Sequence, residues 1–243
     1  SSAVGQSTDT LSAKDAKPNF VVIFIDDLGQ RDLGCYGSTF YETPNIDKLA
    51  SEGVKFTDAY AACPVCSPSR AALLTGKYPV RMQTTDWFGA VQPDEVKQGK
   101  GRRKNPPLLP APYRENLPHE EITLAEALKE NGYTTFMAGK WHLGNGKDNG
   151  PLKHGFDFNV AGNRTGHPKS YFSPYNNPDL KDGPKKEHLT DRIASETVTF
   201  IEQHREKPFF VYVPFYAVHT PLQGPPDLVK KYEEKRERLG LGD

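Results

Sequence analysis

A run of six apolar residues, Phe20-Val21-Val22-Ile23-Phe24-Ile25, closed by the carboxylate pair Asp26-Asp27, restricts the fold of this chain more than any other stretch. An uninterrupted β-branched and aromatic run is the pattern of a strand buried on both faces, which belongs to a parallel sheet covered by helices. Adjacent carboxylates at the carboxyl end of such a strand stand where open α/β sheets place their ligands, and a hard cation best relieves their mutual repulsion. Two capping aspartates in a turn would leave the same letters, so the pair alone keeps both readings open.

Further elements follow from spacing and caps. Tyr133 to Ala138 and Phe209 to Phe215 are predicted strands, the second with its ladder limited by Pro214. Val54 to Ala61 is also predicted as a strand. Thr43 to Gly53, Ile122 to Asn131, Thr190 to Glu206 and the charged stretch Asp227 to Arg238 are predicted helices. Polar clusters at Asp26-Asp27, Cys66-Arg70, Lys140-His142 and His219 each follow an apolar run. If those runs are strands of one sheet, their carboxyl ends bring all the clusters into one crevice. The expected fold is α/β, with a mostly parallel central sheet and helices on both faces.

Balanced charge, 31 basic against 31 acidic residues, gives no global field to recruit nucleic acid or an anionic membrane. No run of eighteen apolar residues predicts a membrane span. Twenty-one glycines and twenty-one prolines imply long surface loops, the places that carry substrate contacts. The longest is Asp86 to Glu121, whose basic cluster Lys97 to Lys104 reads as a solvated loop or the wall of a substrate cleft. Residues 1–17 are read as a flexible, polar N-terminal segment of a mature exported protein, and residues 18–243 as part of one folded domain.

The chemistry concentrates in Cys63-Pro64-Val65-Cys66-Ser67-Pro68-Ser69-Arg70. Ser67 suits an N-cap and Pro68 a first helical position, so a helix is expected to start there and stop at Gly76. Cys66 then sits at the positive helix end, which favours a thiolate or another anion. Arg70 in the first turn opposes the dipole unless it faces an anion. Cys66 as a small buried hydrophobe, and Cys63 with Cys66 as a redox pair, are the alternatives. A four-cysteine zinc site cannot be built, because Cys35 is the only other cysteine. Lys140 and His142 lie two apart, so from an extended chain they point the same way and suit oxyanion binding and proton transfer.

Cys-Ser-Pro-Ser-Arg followed by Leu73-Leu74-Thr75-Gly76-Lys77, together with Gly139-Lys140-Trp141-His142-Leu143-Gly144, Asp26-Asp27, His154-Gly155-Phe156-Asp157 and His219-Thr220-Pro221, resembles the type I, formylglycine-dependent sulfatases of the alkaline-phosphatase-like superfamily. The resemblance implies an alkaline-phosphatase-like sandwich that hydrolyses a sulfate ester on a sulfated glycan. It implies conversion of Cys66 to formylglycine by a maturation enzyme, with Arg70 holding the hydrated aldehyde. It further implies calcium on Asp26, Asp27 and the converted Cys66, sulfate contacts from Lys140, a formylglycine contact from His142, and a sulfate or leaving-oxygen contact from His219. A periplasmic or secreted location goes with it. Once Cys66 is converted, Cys35 and Cys63 remain as a possible pair. His154-Gly155-Phe156-Asp157 is read as structural, Asn163-Arg164-Thr165 matches a glycosylation acceptor, and Arg164 and His167 are candidate sugar contacts. Type I sulfatases carry an Asp-Asn metal pair and another lysine after the His-Thr-Pro region, which this sequence does not show. The expectation is an N-terminal catalytic portion without the family's smaller C-terminal subdomain. A phosphate or phosphonate ester hydrolase and a non-catalytic sulfated-glycan binder remain rivals.

Overall fold

A computed structural model describes residues 17–101 and 106–242. Four strands, β1 (Phe20–Ile25), β2 (Thr134–Ala138), β3 (Phe158–Val160) and β4 (Phe209–Phe215), form one sheet in the order β1-β4-β2-β3. Every pair in it is parallel. The helices that position the site are α1 (Pro44–Glu52), α2 (Cys66–Thr75), α3 (Pro79–Met82), α4 (Pro93–Lys97), α5 (Leu124–Glu130), α6 (Leu189–His204) and α7 (Pro226–Arg238).

Strand β4 shows why helices cover both faces. Its side chains alternate, so Phe210 and Tyr212 join one core with Ala71 and Leu74 of α2 and Ala125 of α5. Phe209, Val211 and Val213 join the other with Ile193 and Phe200 of α6. The Phe136 and Phe200 rings stack across that second interface with centroids 4.4 Å apart. Truncating either ring to alanine costs about 3–5 kcal/mol by the usual sum of transfer and cavity terms. α5 begins as its sequence dictates, with Thr123 and Glu126 closing a capping box at 3.1 and 2.8 Å.

Two sequence expectations are corrected. β1 is apolar throughout yet is the edge strand, and Phe20, Val21 and Ile23 are 41%, 47% and 58% exposed. Only Val22 and Phe24 turn into a core, so an unbroken apolar run does not by itself report burial on both faces. Val54 to Ala61 forms no strand; it is irregular and bent, with Val54, Phe56 and Tyr60 exposed.

The remaining expectations divide. Asp86 to Glu121 is irregular apart from α4. Arg102 to Lys104 of its basic cluster, and residues 1–16 of the predicted N-terminal segment, lie outside the described residues. His154-Gly155-Phe156-Asp157 is structural: His154 is buried, Phe156 sits in the first core, and Asp157 accepts from the Thr135 amide and hydroxyl at 2.9 and 3.0 Å. Asn163 is buried and donates to Ala161 and Asn177 at 3.3 and 3.1 Å, which leaves no free amide for a glycan.

Candidate active site at the carboxyl end of the sheet

Helix α2 starts one residue earlier than the capping pattern predicts. Val65, extended at φ −129° and ψ 147°, is the N-cap, and Cys66 is the first helical residue. Pro68 then takes the third helical position, still among the amides without an intrahelical acceptor, so its missing N–H costs nothing. Ser67 does not cap. Its buried hydroxyl donates to the His142 carbonyl at 2.9 Å and accepts from the Phe88 amide at 3.0 Å, tying α2 to two loops. The helix ends as expected at Gly76, left-handed at φ 67°, whose amide returns to Ala72.

Arg70 faces an anion, as its place in the first turn of α2 requires. It is fully buried, donates to the Asp26 carboxylate at 2.8 Å and to the Lys140 carbonyl at 3.2 Å, and lies over the Phe24 ring at 5.1 Å. Lys140, also fully buried, pairs with the other Asp26 oxygen. One carboxylate thus compensates two buried cations, and each depends on the others for its place in a low-dielectric setting.

Lys140 and His142 reach the site by a sharp departure from β2, not by an extended chain. Gly139 has φ 128°, and a Cβ there would lie 2.0 Å from the Pro214 carbonyl, so only glycine lets the chain cross the end of β4. The Lys140 amide bonds that same carbonyl at 2.7 Å, and His142 adopts φ 54°. Lys140 therefore turns to Asp26, while His142 turns to Phe88, whose carbonyl its Nε2 meets at 3.2 Å. A carbonyl only accepts, so Nε2 carries the proton and Nδ1, buried without a partner, presents a lone pair. Burial, and next the Lys140 charge, push the His142 pKa down to about 3, so the ring stays neutral.

His219 arrives from the end of β4. The Asp26 amide donates to Ala217 and the Val218 amide to Asp26, at 3.0 and 2.8 Å, which clips the carboxyl ends of β1 and β4 together. Tyr171 holds the His219 carbonyl at 2.8 Å, a contact the sequence did not signal. Nδ1 of His219 meets the Thr220 carbonyl at 2.9 Å, leaving Nε2 to face Asp27 at 3.9 Å.

Donor atoms of Asp26, Cys66 and His219 lie within 4.8 Å of one another. Asp27 stands beside them with its side chain 58% exposed, and adopts φ 58° at the turn after β1. Two adjacent carboxylates and an oxygen in place of the Cys66 sulfur are the donor type a hard, oxygen-seeking cation takes, and an imidazole nitrogen is not; each Asp26 oxygen already accepts from Arg70 or Lys140, which leaves Asp27 with the unpaired carboxylate oxygens. All three cysteines are free thiols, and Cys35 and Cys63 are not paired.

Cys66, His142 and His219 line one cleft of about 630 Å³, together with Arg164 and His167. The predicted clusters are thus brought together. Trp87 and Phe88 complete the walls and were not singled out by sequence reasoning, because they lie in a long loop without a strand before them.

Comparison with known proteins agrees with this arrangement. The Sulfatase family matches residues 18–240. Rat N-acetylgalactosamine-6-sulfatase is 38% identical over 234 residues, covering 84% of this chain and 40% of the rat protein. Human arylsulfatase A is 48% identical over 131 residues, 54% of this chain and 22% of that protein. The crystal structure of Ps i-CgsB in complex with k-i-k-neocarrahexaose superimposes with a TM-score of 0.70 at 32% identity, covering 90% of this chain and 49% of that one. A structure in complex with its substrate D-glucosamine-2-N,6-O-disulfate gives a TM-score of 0.67 at 26% identity, covering 89% and 38%. The chain therefore spans about 40% of the length of the curated N-acetylgalactosamine-6-sulfatases it matches, and its parallel sheet with helices is the alkaline-phosphatase-like fold. With that fold, these motifs and a match running nearly its whole described length, the chain belongs to the sulfatase family.

Proposed function

We propose that this polypeptide is the N-terminal catalytic portion of a sulfatase that hydrolyses a sulfate ester on a carbohydrate. The observation that carries the reading is the position of Cys66, first residue of α2, facing one cleft with His142 and His219 while Arg70 and Lys140 back it through Asp26. Oxidised to the aldehyde and hydrated, Cys66 supplies two geminal oxygens, one to attack sulfur and one to expel sulfate. Calcium on Asp26 and Asp27 supplies charge to oppose the sulfate oxygens.

The chain's own residues do the rest. Arg70 and Lys140 hold positive charge behind Asp26, on which an anion in the cleft and the developing charge on its oxygens draw. His219, whose Nδ1–H is held by the Thr220 carbonyl, has its Nε2 lone pair free to take the proton of the attacking geminal hydroxyl and hand it to the alkoxide as the sulfur–oxygen bond of the ester breaks. His142 accepts the proton of the second geminal hydroxyl at Nδ1 as sulfate departs, and its low pKa keeps that lone pair free across the physiological range. Water then restores the hydrated form, so the net change is ester plus water to alcohol plus hydrogen sulfate.

Rat N-acetylgalactosamine-6-sulfatase and the carrageenan-oligosaccharide complex favour a sulfated sugar as substrate. A maturation enzyme that makes formylglycine and a periplasmic or secreted location belong to the same proposal. No helix among the described residues is long and apolar enough to cross a membrane. The decisive experiment produces the intact polypeptide with a maturation enzyme, weighs the Cys66 peptide and compares turnover of aryl sulfate with aryl phosphate. An aldehyde mass with aryl sulfate preferred is expected; an active preparation with an unmodified thiol, or a phosphate preference, sinks the proposal.

A further inference from the structure

The cleft extends well beyond the reacting groups. Its volume of about 630 Å³ lies in the range of sites that enclose a whole drug-sized ligand, so it has room for a sugar ring beside the ester. Besides Cys66, His142 and His219 it is lined by Trp87, Arg164 and His167, none of which has a part in the reaction.

Trp87 is a shelf. Gly89 has φ 121°, and a Cβ there would lie 2.7 Å from the Trp87 ring, so the indole rests on a bare glycine while its residue stays 45% exposed. A flat aromatic face backed this way and open to the cleft suits stacking against the apolar face of a pyranose.

Arg164 is exposed at the cleft wall, and among the described residues no carboxylate lies within ion-pair distance of it. Glu115 and Asp179 line the cavities on either side of it without reaching ion-pair distance. Its backbone is anchored: the preceding Asn163 accepts the His142 amide at 2.9 Å on its carbonyl and the Thr165 amide at 2.8 Å on its side chain. The guanidinium is therefore carried by a segment tied to the reacting histidine. His167 closes the gap, its ring parallel to that of His219 at 18° with centroids 6.3 Å apart.

We infer that this part of the cleft is a subsite for a second anionic group, a sulfate or carboxylate, on a sugar ring stacked on Trp87 and held in the fork of Arg164. The inference, which rests on the sulfatase reading above, makes the substrate a polyanionic glycan and the two anions part of one recognition event. A planar guanidinium binds either oxyanion through two parallel N–H···O bonds, and a hydrogen bond to a charged group is worth about tenfold or more in affinity.

The test measures inhibition of aryl sulfate turnover by N-acetylgalactosamine 6-sulfate and by N-acetylgalactosamine 4,6-disulfate, using the intact, calcium-loaded, matured protein. Wild type is expected to bind the disulfate about tenfold more tightly. Arg164→Ala abolishes that preference, Arg164→Lys retains part of it, and Trp87→Ala weakens both sugars while leaving their ratio in place. A wild-type protein without preference, or an Arg164→Ala protein that keeps it, overturns the subsite. If the wild type turns over no aryl sulfate, it is the sulfatase reading that fails, and calorimetric affinities of the same two sugars for the same proteins decide the subsite.

Discussion

Three consecutive residues enter two differently built interiors. Lys140 and His142 enter the catalytic end, while Trp141 between them points into the first core, tilted against His154 at 5.6 Å and edge-on to Phe156 at 6.2 Å, with its indole N–H on the Asn149 carbonyl at 2.8 Å. On the Lys140 side, buried groups stay charged and compensate one another through Asp26. On the Trp141 side, His154 has neither ring nitrogen bonded, lies against His119 at 4.8 Å, and remains neutral because burial, and next the His119 charge, push its pKa down to about 4. A low-dielectric interior accepts an ionisable group in either of two ways, by pairing its charge or by removing it. The first keeps charge available for an anion. The second spends the ionisable group on packing.

The sharpest break of this contrast is at the reacting residue. Cys66→Ala is expected to reduce aryl sulfate turnover by more than about a thousandfold, since no other group replaces a covalent nucleophile, while the thermal midpoint of the intact protein stays within roughly 2 °C of wild type. Retained turnover would remove Cys66 from the chemistry.

Next in size, Asp26→Ala strips the counter-charge from both Arg70 and Lys140 and should destabilise the protein by about 3–5 kcal/mol in urea unfolding. The double change Asp26→Ala with Lys140→Met is expected to regain part of that loss. A loss below about 1 kcal/mol for the single variant would show that the cluster is solvated after all.

The neutral side predicts a pH dependence of definite sign. His154 has an ordinary pKa of 6.5 when unfolded and about 4 when folded. The unfolded chain binds the proton first, so the stability this residue contributes is present above pH 6.5 and is lost as pH falls from there through 4. His154→Phe should flatten the stability curve across that window by about 3 kcal/mol, as read from thermal midpoints between pH 7 and pH 4. An unchanged slope would mean that other groups carry it.

Ser67→Ala probes the seam between the two interiors. It leaves the Phe88 amide and the His142 carbonyl without the hydroxyl they share, at a cost of about 1–3 kcal/mol. The same change should raise KM more than it lowers kcat, since Phe88 positions the His142 ring and lines the cleft.

Much of the molecule was legible in the chain. The β2, β4, α5, α6 and α7 segments follow from local pattern: period-2 or continuous apolar runs for the strands, a capping box for α5, an apolar stripe for α6 and a proline-led run of helix-forming charged residues for α7. Cys66, Arg70, Lys140, His142, Asp26 and His219 were each identifiable from strand ends and motifs, and Arg164 and His167 from a loop adjoining them. What escaped were contacts with no local signature. Ser67 reads as a cap and acts as a cross-link; Lys140 and His142 read as neighbours on one face and are turned apart by the positive φ of His142. Apolar Phe20–Ile25 reads as central and sits at the edge, since sequence reports what a strand can bury but not what stands beside it.

By itself, then, the sequence determined the element types, the parallel sheet and the chemical inventory at its carboxyl end, because these depend on side-chain period, backbone propensity and motif. Tertiary structure alone decided that Asp26 compensates two cations, that His142 presents Nδ1, and that Trp87 and Arg164 share a cleft with Cys66. Those facts rest on distances between segments remote in the chain. They are set by how strand ends are clipped together and by where a glycine lets one segment cross another, and no residue announces them in its own neighbourhood.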